Sequence, residues 1–186
     1  MKKTSKIIFL MAALASISLF NGCEEIGNIE LNVPLVIKFN VSGSETSASD
    51  KVAFCLNEYP EWQDNKDKIE KANYFKAAYW TIKVDPVALK GNISFVLKDN
   101  INNVLISGTL NDVSPADYMD GKEFEVGQAQ IDTFNQYLND IMLKEDPSCQ
   151  NPSFNAGFSI TDITGGTPYD IDCKVELILK TEVSPD

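Results

Sequence analysis

The sequence lacks two residue types altogether, because its 186 residues include neither histidine nor arginine. Without histidine, the chain cannot build a Ser-His-Asp or Cys-His catalytic arrangement or a histidine-containing zinc site. All 16 basic residues are lysines, and they face 27 acids, which gives a formal net charge of -11. A chain this acidic and without arginine is not expected to bind the phosphate backbone of a nucleic acid.

Several motifs that carry chemistry are also missing. The sequence contains no G-x-S-x-G nucleophile elbow, no phosphate-binding loop, no G-x-G-x-x-G and no C-x-x-C. Asp170 and Asp172 would share a face and could bind calcium, but the calcium-loop pattern is absent, so solvated acids in turns are the better interpretation. Pairs of carboxylates remain possible catalysts, yet a domain this small leaves little room for a deep cleft. We therefore expect no enzymatic activity, no cofactor and no metal.

The N-terminus has the composition of a targeting segment. Three lysines within the first six residues precede an uncharged, mostly apolar run over residues 7–20. A membrane-spanning helix needs about 20 apolar residues, so this run is too short and predicts a signal peptide.

The end of this run contains a specific motif. Gly22-Cys23 followed by Glu24-Glu25 resembles the lipobox of Bacteroidetes-type bacterial lipoproteins, in which a small residue precedes a cysteine that is lipidated before cleavage. Phe20 and Asn21 depart from the usual lipobox residues. The resemblance implies lipidation of Cys23, for instance with palmitate, and a lipid anchor in the outer membrane of the bacterial cell envelope. The acidic pair further implies exposure at the cell surface.

Alternating apolar residues predict a series of β-strands. The longest alternation runs from Leu31 to Val41, and Pro34 on its outward side favours the edge of a sheet. We expect further strands at 52–56, 79–84, 93–97, 104–110, 124–126, 154–160 and 173–179. In the strand at 79–84, Trp80, Ile82 and Val84 are expected to share one face.

Two segments have other patterns. Residues 66–72 are expected to form a short helix within a loop region. Apolar residues recur at helical spacing from Gln128 to Leu143 and predict one amphipathic helix, with Asn135 and Asn139 on the side opposite the apolar stripe.

Together these elements predict a mainly β protein. We expect an antiparallel β-sandwich of immunoglobulin-like architecture with one amphipathic helix. The expected organisation is a signal peptide over residues 1–22, a lipidated tether over 23–27 and a single sandwich domain over 28–182. The strand order also resembles uncharacterised β-sandwich lipoproteins of Bacteroidetes, and this second resemblance brings no catalytic motif.

The four cysteines allow one disulfide if Cys23 is lipidated. Cys149 lies in the loop after the helix and Cys173 opens the last strand, so we expect these two to pair in an oxidising compartment. Cys55 lies among core residues and is expected to remain a buried thiol. A pairing of Cys55 with either of the other two is the alternative.

One loop suggests a binding function. Tyr59 and Trp62 are two aromatics in a polar connection, where flat rings could stack on sugars while Gln63 binds hydroxyl groups. This pattern favours a noncatalytic binding module for a glycan or another extracellular ligand. Alternatively, Tyr59 and Trp62 plug the open end of the sandwich, and the protein is a structural or accessory lipoprotein that docks onto another envelope protein. The exposure of Trp62 distinguishes the two.

Overall fold

The computed structural model describes residues 28–144 and 153–185, which form two packed antiparallel sheets. The strands are β1 (Ile29–Gly43), β2 (Ala48–Phe54), β3 (Ile69–Asp85), β4 (Lys90–Asp99), β5 (Val104–Val113), β6 (Lys122–Glu123), β7 (Phe154–Thr164) and β8 (Tyr169–Val183). The helices are α1 (Pro60–Gln63) and α2 (Gln128–Tyr137), which a π-helical turn at Leu138–Met142 extends, and 3-10 turns occupy Leu56–Glu58 and Pro115–Tyr118. The predicted antiparallel β-sandwich with one amphipathic helix is confirmed.

The chain passes back and forth between the two sheets, so that most neighbouring strands within a sheet are distant in the sequence. The first sheet has the strand order β1-β8-β3-β6, and the second sheet has the order β2-β7-β4-β5. β8 is central to the first sheet, where β1 and β3 flank it over nearly its whole length. Only β4 and β5 are both consecutive in sequence and paired with each other, so nearly all of the sheet pairing is long-range.

A continuous apolar core fills the space between the sheets, because inward positions of β1, β4, β7 and β8 are apolar at every second residue. At its centre, the Phe158 ring stacks against Phe39 on one side and Tyr79 on the other, with ring centroids 5.5 and 5.8 Å apart. Phe95 stacks on Phe124 in the same way at 5.9 Å. Aromatic rings of this size dominate the burial of apolar surface, so the core is well filled.

β3 differs from its prediction in its length and in which of its side chains are buried. It begins at Ile69, so the short helix expected at 66–72 is wrong, and the nearby helix is α1 instead. Thr81 is buried and Ile82 is exposed, and the register shift between Thr81 and Lys83 then buries Val84, which unbroken alternation would have placed on the outer face with Ile82. Thr81 is tolerated inside because its hydroxyl donates to the Pro115 carbonyl at 2.6 Å. The common face expected for Trp80, Ile82 and Val84 is therefore wrong.

β1 is an edge strand, as Pro34 predicted. The backbone groups of Val36 and Asn40 point away from β8, since the Val36 carbonyl accepts from Tyr59 and the Asn40 N–H donates to Asp50. Pro34 lies two residues before Val36, so its backbone also points to the free edge of the sheet. Its missing N–H therefore costs no hydrogen bond of the sheet.

Candidate functional site

The loop after β2 contains the expected ligand-binding residues, and the structure places Trp62 inside the protein. Trp62 is only 2% exposed and belongs to the hydrophobic core. The one-turn helix α1 turns it inward: Pro60 is its first residue, and the Tyr59 carbonyl accepts from the N–H groups of Trp62 and Gln63 at 3.1 and 2.9 Å. The expected aromatic platform at Trp62 is therefore wrong, and the ring closes the sandwich beside β1.

Tyr59 and Gln63 do not form a site without Trp62. The Tyr59 ring packs edge-on against Phe54 with centroids 5.8 Å apart, and its hydroxyl donates to the Val36 carbonyl at 3.4 Å. Gln63 alone of the three residues is exposed. Because the rings face the core and its rim, the structure brings Tyr59 and Trp62 together as packing residues and leaves no surface on which a sugar could stack.

The packing of Tyr59 has a consequence at high pH. Burial, and secondly the charge of Glu58, raise the pKa of Tyr59 to about 12. A raised pKa means that the folded state holds this proton more tightly than the unfolded state. The contribution to stability is thus complete below pH 10, the ordinary tyrosine pKa, and is lost as pH rises from about 10 to about 12. We expect Tyr59→Phe to remove the component of the tyrosinate absorbance that develops near pH 12. An unchanged alkaline titration would contradict this assignment.

The two described cysteines are both buried, and Cys173 does not open the last strand as expected. Cys173 is the fifth residue of β8 and has no exposed surface. Cys55 is a buried thiol, as predicted. Cys149 and Cys23 lie outside the described residues, so the Cys149–Cys173 disulfide and the lipidation of Cys23 remain predictions.

Cys173 is expected to be unreactive while the protein is folded. Burial, followed by the nearby charges of Asp172 and Asp50, raises the pKa of the Cys173 thiol and so suppresses the reactive thiolate. A water-soluble maleimide should label this residue only after denaturant is added, as measured by peptide mass spectrometry with and without reducing agent. Labelling of Cys173 under native conditions would contradict this expectation, whereas recovery of Cys173 in a peptide linked to Cys149 would confirm the predicted disulfide.

Asp170 and Asp172, the acids considered for calcium, form hydrogen bonds and an ion pair with nearby polar side chains. Asp170 and Asp172 share the outer face of the first sheet, as expected, and the Asn40 amide donates to them at 3.1 and 2.7 Å. Lys83 Nζ lies 2.6 Å from Asp170, and it lowers the pKa of that carboxyl. Within residues 28–144 and 153–185, no three side chains are grouped as metal ligands.

Sequence reasoning missed the role of three amides on α2 and its extension. Asn139 donates to the Ala72 carbonyl at 2.7 Å and accepts from its N–H at 3.0 Å, and Asn135 accepts from the Tyr74 N–H at 2.6 Å. On the other side, Gln130 Nε2 donates to the Ser107 hydroxyl at 2.8 Å. These edge amides (Gln130, Asn135 and Asn139) join the helix to the free edges of β3 and β5. In the sequence, the signal for this role is the spacing of the three amides beside the apolar stripe of the helix.

The outer face of the second sheet has an unusual charge distribution. Register places small and hydroxyl-bearing residues in rows across it: Ser49, Ser159, Ser94 and Thr109 in one row, and Lys51, Gly157, Val96 and Ser107 in the next. The row after that contains Ala53, Asn155 and Lys98. We call these three rows the acid-free face, because lysine is the only charged residue type in them.

The comparisons with known proteins identify no family. No protein-family model matches the sequence, and no curated protein is significantly similar to it. Among solved structures, Mud crab tombus-like virus matches with 10% identity and a TM-score of 0.41 over 88% of this chain and 86% of the viral chain. Tobacco necrosis virus matches with 9% identity and a TM-score of 0.39 over 86% and 97%. Turnip yellow mosaic virus matches with 14% identity and a TM-score of 0.34 over 86% and 83%.

These findings correct the expected function, location and partners. The similar structures are of viruses, whereas a membrane-anchored binding lipoprotein of the outer membrane was expected. The burial of Trp62 independently removes the residue-level argument for a glycan or other extracellular ligand. The expected envelope location, lipid-mediated membrane partnership and envelope protein partner are corrected by the same findings. At these identities and TM-scores, the likeness transfers no role from the viruses to this chain.

None of the helices within residues 28–144 and 153–185 combines the length and the apolar character needed to cross a bilayer.

Proposed function

We propose that this protein is a noncatalytic structural protein that acts by presenting the rigid outer faces of its sandwich to other proteins. The observation that carries the proposal is the closure of the sandwich. Trp62 seals it beside β1, and α2 seals the opposite side through the edge amides and the buried rings and chains of Phe134, Leu138 and Met142. A filled interior leaves the outside of the sheets as the working surface.

The cavities of the described residues support the same conclusion. Three grooves have volumes of about 240, 340 and 380 Å³ and open on the outside of the sandwich. A small-molecule site normally buries most of its ligand in a cleft of roughly 300 to 1,000 Å³ with a few converging polar groups. These open grooves suit contacts with a protein surface better than catalysis on an enclosed substrate.

Site-specific photo-cross-linking in the cells that make the protein tests the proposal. A photoreactive amino acid is placed at Ser159 or Thr109 on the second sheet, or at Lys38 on the first, with Trp62 as a buried control position. We expect a discrete adduct of higher mass from at least one outer-face position and none from position 62. If no outer-face position yields an adduct, or if the purified protein turns over a substrate, the proposal fails.

A further inference from the structure

We propose that the acid-free face contains a docking groove for an acidic protein segment, with Lys51 and Lys98 binding two of its carboxylates. The inference rests on the proposed function and names the partner chemistry for one face. The groove has a volume of about 240 Å³ and is lined chiefly by Lys51, Val96, Lys98, Asn102, Asn155 and Gly157.

The first argument is the pairing of the lysines. Six of the described lysines have a carboxylate within 4.0 Å, namely Lys71, Lys76, Lys83, Lys144, Lys174 and Lys180. No described carboxylate makes such an ion pair with Lys51 or Lys98. The two ammonium groups beside the groove therefore remain available for charges on a partner.

The second argument is the shape between the lysines. Gly157 lies directly between Lys51 on β2 and Val96 on β4, so the middle strand presents no side chain there. A Cβ atom at Gly157 would lie 3.1 Å from the Val96 Cγ1 atom, which shows how closely Val96 approaches the bare backbone. The result is an uncharged depression with a lysine at each side.

The third argument is a match of spacing. Lys51 and Lys98 lie two strands apart and two residues apart along the strands. With strands about 4.8 Å apart and a rise of about 3.4 Å per residue, their Cα atoms are separated by about 12 Å. In an extended peptide, residues four apart are on the same side and about 13 Å apart, so two such carboxylates would meet the two lysines.

The same features disfavour other anionic partners. A nucleic acid is bound by many phosphate contacts and by aromatic stacking, but this face has two lysines and no aromatic residue. An anionic membrane is recognised by larger basic clusters, typically of four or more residues. An acidic peptide needs only the two charges and the shallow floor that are present.

A binding measurement with a defined peptide tests the inference. The probe is the acetylated and amidated pentapeptide Glu-Ser-Gly-Ser-Glu with a fluorescent label, titrated with the whole protein and followed by anisotropy. We expect saturable binding that weakens several-fold when ionic strength rises from about 0.01 to about 0.1 M. The isomer Ser-Glu-Glu-Ser-Gly, with adjacent acids, should bind more weakly because its carboxylates point to opposite sides.

Variants locate the binding. The double variant Lys51→Gln/Lys98→Gln should lose about tenfold in affinity, since each exposed ion pair contributes up to about fivefold. The matched control Lys38→Gln removes an exposed lysine from the other sheet and should bind normally. Gly157→Val fills the floor while keeping both lysines, and it should also weaken binding with little change in melting temperature. If the Gly157→Val variant does not fold, the lysine variants decide whether the peptide binds in this groove.

Three outcomes overturn the inference: no binding by wild type, equal loss in Lys38→Gln, or displacement of the peptide by inorganic phosphate at equal concentration, which would indicate a small-anion site. If the peptide-binding tests fail while photo-cross-links still form from other positions, the proposed function stands. Absence of all cross-links would overturn the function itself.

Discussion

Replacing Trp62 with alanine is expected to lower the free energy of unfolding by about 3 to 5 kcal/mol. The indole ring is almost entirely buried, so its removal leaves a cavity beside β1 that the short helix α1 cannot collapse to fill. For a protein of this size each kcal/mol shifts the melting temperature by about 2 to 4 °C, so a drop on the order of 10 °C should be visible by calorimetry or circular dichroism.

The matched control is Gln63→Ala, one residue further along α1. Gln63 is exposed, and its truncation should change stability by no more than about 0.5 kcal/mol. A Trp62→Ala protein as stable as the control would show that the ring does not seal the sandwich, and the argument from closure would fail with it.

The second large effect is expected from removing the edge amides that contact β3. The double variant Asn135→Ala/Asn139→Ala takes away the partners of the Ala72 N–H, the Ala72 carbonyl and the Tyr74 N–H. Each partly buried backbone group left unsatisfied costs about 1 to 3 kcal/mol, so the three groups together should lower the free energy of unfolding by at least about 3 kcal/mol. Urea unfolding measures it.

This variant should also associate with itself. The edge of β3 beyond its short pairing with β6 is covered by the helix, and an uncovered strand edge can pair with another chain. Light scattering should therefore increase on storage of the double variant. Gln136→Ala, an exposed position on the same helix, is the control and should remain monodisperse and as stable as wild type. Equal behaviour of the two variants would contradict the role of the edge amides.

The fold was predictable from the sequence wherever alternation was regular. The strands with regular alternation, namely β1, β4, β8 and the part of β7 up to Ile160, matched their predictions because one buried face imposes a period of two. β3 could not be predicted equally well, since its register shifts move residues such as Val84 to the other face without any change in composition. The long helix was predictable for the same reason as the regular strands, through its period of 3.6.

The candidate site was harder to predict, because its residues have the same local sequence whether they are exposed or buried. A tryptophan in a polar loop can stack on a ligand or plug a core, and only the position of α1 against β1 decides between them. Similarly, Asn135 and Asn139 on a polar helix face can meet solvent or a strand edge. The acid-free face depends on which strands are neighbours, and strand order is not encoded in the period of any one strand.

The position of β8 determines when the protein can fold during its synthesis. Among the described strands β8 is synthesised last, yet it forms the centre of the first sheet and separates β1 from β3. Neither flanking strand has its main partner until β8 has emerged from the ribosome. Because pairings between distant parts of a chain form slowly, folding of the sandwich follows the synthesis of β8 and takes milliseconds to seconds. During that interval the nascent chain presents unpaired strand edges, which are prone to pair with other chains.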